Sequence, residues 1–234
     1  MGSMTPDQRL VFRERGCLAL PGALPQKQIG KLREQILDEL KRLKIWSSGK
    51  RLSSRLDGIP AFQQITKLGQ STRLPELQAR IITPELSSII DTLGGVKLIS
   101  ARDARLLISL PQPNAWTLDG LDWHVDISSP DPRRLPGIQA FVLVDDVRVR
   151  GGATLAVAGS HLLDERGEAK AKILEILGAS GDVEARLRER GLSILEMSGR
   201  AGDVYLMDMR LLHTPSINAT KHLRIMATAR YFAV

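Results

Sequence analysis

The chain has 234 residues, 43% hydrophobic and 25% charged, a composition that supplies a sizeable apolar core and excludes disorder. No apolar run approaches the length of a membrane span, and the single Cys17 excludes an internal disulfide or a cysteine-built zinc cluster. The net charge of +7 is lopsided: residues 1–60 hold 12 Lys+Arg against 6 Asp+Glu, and the other 174 hold 21 against 20. Met1-Gly2-Ser3 reads as an expression scar ahead of Met4. No signal peptide follows it, so a cytoplasmic chain is expected.

Taken in order, Thr5-Pro6-Asp7 opens a short helix that ends at Gly16, because Pro is tolerated in a first turn and Thr can cap it. Cys17–Leu20 reads as a strand broken by Pro21-Gly22. From Pro25, the apolar positions Ile29, Leu32, Ile36, Leu37, Leu40 and Leu43 keep the spacing of an amphipathic helix. Residues 47–60 read as a loop and 72–93 as a helix pair stopped by Gly94-Gly95. Beyond 95 the segments shorten and become β-branched. Leu106–Leu110, Ile138–Val144, Thr154–Val157, Val204–Met207 and Leu223–Phe232 read as strands, and a charged helical insertion spans about 162–191. Helices first and strands afterwards predict an α+β, mainly β chain: a jelly roll supported by N-terminal helices.

The basic excess peaks at Lys41, Arg42, Lys44, Lys50, Arg51 and Arg55. With 4% aromatics, no zinc finger and no Gly-aromatic RNA motif, nucleic acid is not the expected partner. An anionic small molecule, or plain solvation, remains for this run.

Chemistry concentrates at three places. In Asp122-Trp123-His124-Val125-Asp126, residues two apart on extended backbone share a side, so His124 and Asp126 can bind one metal ion together. His213 follows a strand. Two His and one carboxylate on neighbouring strands form the facial triad of non-haem Fe(II) oxygenases, which leaves three coordination positions open. Arg224 lies on the last strand, sharing a face with Met226, Thr228 and Arg230. Its planar guanidinium can hold a carboxylate through two parallel hydrogen bonds, and Thr228 can add a hydroxyl contact.

Four ordered blocks resemble the phytanoyl-CoA dioxygenase family of Fe(II)- and 2-oxoglutarate-dependent oxygenases. They are Thr5 to Gly22, Trp123-His-Val-Asp126, Gly151-Gly-Ala-Thr-Leu-Ala-Val-Ala-Gly159-Ser-His161, and Gly202-Asp-Val through His213 with Asn218, Arg224 and Arg230-Tyr231. The resemblance implies a double-stranded β-helix of the cupin-like kind. One domain would cover 1–234, with 4–95 as helical support and lid and 96–234 as the core. It implies His124, Asp126 and His213 as ligands of Fe(II), and Arg224 as partner of the distal carboxylate of 2-oxoglutarate. Thr214 or Ser216 would supply the hydroxyl that often follows the distal histidine. Where the family often carries an aromatic on the strand after the metal loop, this chain offers Gln139 and Phe141. Ala158 replaces the family's usual Pro before Gly-Ser-His. His161 reads as structural and His222 as surface. Trp116 and Trp123 flank the metal loop, where substrate contact and plain packing are equal readings.

The implied reaction consumes O2 and 2-oxoglutarate, releases succinate and CO2, and hydroxylates a small-molecule metabolite. Desaturation or cyclisation are variants. Asp126 argues against halogenation, where Gly or Ala takes the carboxylate's place. Pocket specificity is expected from the N-terminal loop with Arg51 and Arg55, from 111–123 and from 162–191. The chain is expected as a monomer or homodimer, with neither nucleic acid nor membrane as partner. Two alternatives stand beside this: a cupin-type metal enzyme that needs no 2-oxoglutarate, and a binding protein that keeps the fold without catalysis.

Overall fold

Local chemistry explains most element boundaries in the computed structural model, which describes residues 4–233 apart from 55, 57, 73, 96, 113–114, 130–133 and 165–166. Arg55 and residues 1–3 lie outside the described residues. Thr5 caps α1 (Pro6–Arg15): its hydroxyl accepts from the Gln8 N–H at 3.2 Å, while the Gln8 side chain accepts from the Thr5 N–H at 3.0 Å. Gly16 closes the helix at φ 70° and turns the chain into β1 (Cys17–Leu20). In α2 (Gln26–Arg42), Ile29, Leu32, Ile36 and Leu40 are buried as their spacing predicts. Each contributes on the order of 1.5–3 kcal/mol of transfer free energy.

The stretch 47–60 is less of a loop than its composition suggests. It carries most of a small hairpin of β2 (Trp46–Ser47) and β3 (Lys50–Arg51). An eleven-residue helix, α3 (Ala61–Ser71), then precedes the expected pair α4 (Leu77–Ile81) and α5 (Pro84–Gly94). Gly69 makes α3 hard to read, since an interior glycine weakens a helix. Its reason is tertiary: a Cβ there would lie 2.2 Å from the Leu106 carbonyl.

Seven of the remaining strands build the core with antiparallel pairing throughout. They are β5 (Arg105–Ser109), β6 (Gly137–Leu143), β7 (Thr154–Ala158), β8 (Ser193–Glu196), β9 (Val204–Asp208), β10 (His213–Pro215) and β11 (Arg224–Ala233). A short β4 (Leu98–Ser100) precedes them. The larger sheet runs β1-β9-β6-β11. The far side of β11 pairs with β5 along Arg224–Thr228 and with β4 along Tyr231–Ala233. The smaller sheet runs β10-β7-β8 and is extended by a bridge between His124 and His213. Two stacked antiparallel sheets in this order form the double-stranded β-helix.

Alternation sorts the apolar residues into three layers. Even positions of β11 and odd positions of β6 face the barrel interior, where Phe141, Leu143, Met207 and Met226 meet Ala156 and Met197 of the smaller sheet's side. The opposite face of the larger sheet, including Ile138, Leu206, Ile225 and Ala227, packs on the N-terminal helices. Outside the smaller sheet, Val157 packs with Ile173, Ile176 and Leu187 of α6 (Glu168–Gly178) and α7 (Val183–Arg188), the helical insertion. No helix among the described residues is long and apolar enough to cross a membrane.

His161 is structural, as expected. It is buried under α1, and its Nε2–H donates to the Arg13 carbonyl at 3.0 Å. A Cβ on Gly16 would fall 2.5 Å from its Nδ1. Burial holds this imidazole below its ordinary pKa, outweighing the attraction of Asp208.

Two outcomes are expected. Gly69→Ala should lower stability by about 1–3 kcal/mol in urea denaturation, although the same change on an exposed helix would stabilise. For His161 the folded pKa lies below the unfolded one. The stability tied to its neutral form is therefore present above about pH 6.5 and is lost as the pH falls below that value. His161→Gln should flatten the fall in thermal midpoint between neutral and mildly acidic pH.

Candidate metal centre

The turn between β9 and β10 carries the chain from the larger sheet to the smaller one, and the metal-ligating candidates gather around it. His213 opens β10. Its backbone exchanges both hydrogen bonds with His124, at 3.0 and 2.9 Å, so the two histidines stand directly opposite. Their ring centroids are 4.4 Å apart. The Met209 carbonyl accepts from the N–H groups of Asp126 (3.0 Å) and Ile127 (3.1 Å), which draws the carboxylate to the same place. One ligand atom each from His124, Asp126 and His213 lies within 4.8 Å of the others. The Nε2 of His213 is 3.7 Å from the nearer carboxylate oxygen of Asp126.

Both rings are oriented from behind. His124 Nδ1–H donates to the Asp122 carbonyl at 2.8 Å, and His213 Nδ1–H donates to the Leu211 carbonyl at 3.0 Å. A carbonyl can only accept, so Nδ1 carries the proton and Nε2 is left as the ligand atom. Burial keeps the His213 imidazole below its ordinary pKa despite the nearby Asp126, so it is neutral near pH 7, the form a metal requires. His213 is buried and His124 exposed, so the cluster is closed behind and open in front.

Arg224 opens β11, on the interior face of the larger sheet. It is 2% exposed, on a central strand, and faces inward with Met226. One guanidinium nitrogen donates to the Leu107 carbonyl at 2.9 Å, and Nε is buried without a partner. Desolvation pushes its pKa down to about 9, so it remains charged at neutral pH. No carboxylate pairs with it among the described residues. A buried cation lacking an anion is costly, and the missing partner fits a carboxylate-bearing ligand. A two-histidine, one-carboxylate donor set, together with a buried arginine that lacks an anion, matches what Fe(II) and 2-oxoglutarate require.

The other expected residues fare unequally. Gln139 and Thr228 face the interior but satisfy each other: Gln139 Nε2 donates to Thr228 Oγ1 at 2.8 Å, and that hydroxyl donates to the Ala140 carbonyl at 2.9 Å. The free hydroxyl expected at Thr228 is thus already committed, while Gln139 Oε1 is buried without a partner. Thr214 and Ser216 are buried, donating to the carbonyls of Pro215 (3.2 Å) and Ala153 (2.8 Å). Trp123 shares the side of Val125, opposite to His124 and Asp126, and packs on the insertion helices. Trp116 lies under the guanidinium of Arg150, 5.2 Å from ring centroid to the central carbon.

A cavity of about 580 Å³ reaches from Asp122, two residues before His124, to Pro215 and Ser216, just past His213, with Arg51, Phe62, Gln64, Gln112 and Asp119 in its walls and none of the three candidate ligands among them. Neither tryptophan lines it. Lys41 lines a separate cleft of about 370 Å³ with Arg33, Lys221 and His222. The basic run therefore divides between two places. The strand reading of 106–110 offered a signal for one residue passed over: Ser109 is buried directly opposite Arg224 in the β5–β11 register. Asp208 and Arg210 were also passed over, although they stand inside the quoted block from Gly202 to His213. They form a buried ion pair at 2.6 Å.

The sequence matches the model of phytanoyl-CoA dioxygenase (PhyH) over residues 12–226. No curated protein matches the chain. Among solved structures, it is similar to the non-haem alpha-ketoglutarate-dependent carbocyclase SnoK from nogalamycin biosynthesis. The TM-score is 0.65 and the identity 21%, over 99% of this chain and 85% of that one. HygX from Streptomyces hygroscopicus, with nickel and 2-oxoglutarate bound, is similar at TM-score 0.64 and 18% identity, over 99% and 88%. EctD from S. alaskensis, with iron bound, is similar at TM-score 0.65 and 18% identity, over 98% and 77%. At these identities the likeness shows the fold, and the family rests on the match to 12–226. The chain belongs to the phytanoyl-CoA dioxygenase family, and with it to the Fe(II)- and 2-oxoglutarate-dependent oxygenases.

Proposed function

We propose that this protein hydroxylates a polar small molecule, using Fe(II) held by His124, Asp126 and His213 and 2-oxoglutarate held through Arg224. The observation that carries this reading is a buried, inward-facing guanidinium without a carboxylate partner among the described residues, in a chain that also gathers a His-Asp-His cluster. A cupin-type enzyme with no use for 2-oxoglutarate has no reason to bury such a charge. A small-molecule substrate is supported by one similar structure, the epimerase SnoN in complex with Fe3+, alpha ketoglutarate and nogalamycin RO (TM-score 0.63, 19% identity).

Fe(II), 2-oxoglutarate and O2 together supply an oxidant for C–H bonds, with release of succinate and CO2. The chain does the rest. His124 and His213 present Nε2 because their Nδ1 protons are tied to carbonyls. Asp126 supplies the third ligand atom from the same side. Arg224 receives the distal carboxylate on the inward face that it shares with Met226, opposite Ser109, where low polarity strengthens the ion pair. The cavity between Asp122 and Ser216 admits the substrate on the open side of the centre. Arg51, whose Nε donates to the Ser53 carbonyl at 2.9 Å, brings a positive charge to its wall and favours an anionic group there.

Under anaerobic conditions, adding 2-oxoglutarate to the Fe(II) protein should produce the weak visible charge-transfer band of the chelate and raise the thermal midpoint. His124→Ala should abolish both. Absence of band and shift in the wild type would overturn the reading. Arg224 has a folded pKa below its unfolded value, so its charged form costs stability everywhere below about pH 9. Arg224→Met should therefore leave the ligand-free protein as stable or more stable, by up to a few kcal/mol, while losing the shift caused by 2-oxoglutarate. Reversing the charges of Lys50 and Arg51 should raise KM for an anionic substrate and spare that for 2-oxoglutarate.

A further inference from the structure

The turn that carries His213 is held by a pair of charges the proposed reaction does not use. The Asp208 carboxylate accepts from Arg210 Nε at 3.0 Å and from Nη2 at 2.6 Å, and also from the Arg210 backbone N–H at 2.9 Å. Both residues are buried, Asp208 at 2% and Arg210 at 6% exposure. Burying an ion pair rarely stabilises a fold more than apolar side chains of the same size would, so its retention calls for another reason.

The geometry supplies one. The pair closes a tight turn in which the Leu211 N–H donates to the Asp208 carbonyl at 3.0 Å. Between the paired residues stands Met209, whose carbonyl accepts from Asp126 and Ile127. Just beyond stands Leu211, whose carbonyl accepts from His213 Nδ1. The turn is also tied outward. Asp208 N–H donates to the Gly16 carbonyl at 2.8 Å, Leu212 N–H to Ser160 Oγ at 2.9 Å, and Val157 N–H to the Leu212 carbonyl at 2.8 Å. Two of the three candidate ligands thus bond to carbonyls on one turn, and the ion pair spans that same turn.

We propose that Asp208 and Arg210 are positioning residues for the metal centre: their bidentate pair fixes the 208–211 turn so that Asp126 and His213 converge on one ion. This rests on the oxygenase reading above and adds a role for two residues that touch neither metal nor substrate.

The test compares metal affinity with stability. Co(II) binding to the purified protein is followed by visible absorbance, alongside the thermal midpoint. The variants are Asp208→Asn, Arg210→Lys and the double change Asp208→Leu with Arg210→Met, which fills the space without charge. Ile90→Ala, in a helix of the outer layer, serves as a purely structural comparison. The positioning variants should bind Co(II) about 10- to 100-fold more weakly, the range typical of groups that orient metal ligands. Their Co(II) spectra should change as well. Ile90→Ala should lose thermal stability while keeping near-wild-type affinity. The double variant keeps the test open if a lone buried charge prevents folding. If it folds and binds Co(II) as the wild type does, or if Ile90→Ala loses affinity in proportion to stability, the positioning role is wrong. A wild type that binds no Co(II) would instead overturn the oxygenase reading itself.

Discussion

The passage of the chain from one sheet to the other at Asp208–Leu212 is the constraint on which the functional geometry depends. Most backbone groups in that turn have no neighbouring strand to pair with, so they find partners elsewhere. Those partners are the metal loop, the Gly-Ser-His turn and the end of α1. A single turn therefore ties the larger sheet, the smaller sheet and the N-terminal helix together at the place where the metal ligands meet. The buried Asp208–Arg210 pair resists relaxation of that turn, because separating the charges would leave each unpaired in a dry interior.

Arg224 poses the opposite case within the same barrel. Its charge has no acidic partner among the described residues, and burial makes that costly. A neighbouring strand supplies the Leu107 carbonyl. An incoming carboxylate would meet a preorganised, desolvated donor there. The two arginines differ in their hydrogen bonds: Arg210 pairs with Asp208, whereas Arg224 bonds a carbonyl and keeps Nε unpartnered.

The charge excess of the first sixty residues also resolves into distinct parts. Lys41 belongs to a cleft with Arg33, Lys221 and His222, away from the metal loop. Arg51 enters the wall of the cavity beside the centre, in company with Asp119 and Asp122. A cavity wall with both signs of charge favours a polar molecule with defined orientation over a simple anion attracted by field alone.

Much of this was legible without coordinates because it depends on short-range periodicity. The two-residue alternation places His124 with Asp126 and Arg224 with Thr228 on common faces, and the helical spacing buries Ile29, Leu32, Ile36 and Leu40. The cap of α1, the insertion helices and the order of the strands follow from the same local rules. What the tertiary structure decided concerns groups brought together from distant positions. Gly69 looks like a helix breaker until the Leu106 carbonyl is seen against it. Trp123 reads equally as a pocket or a packing residue until alternation is combined with the insertion helices that cover its side. Thr228 looks free until Gln139, 89 residues earlier, reaches it across the sheet. The linear sequence determined which side chains could serve and which way each points along its own strand. Only the closed fold decided which charges would be paired and which left waiting, because pairing and desolvation depend on neighbours that spacing along the chain does not name.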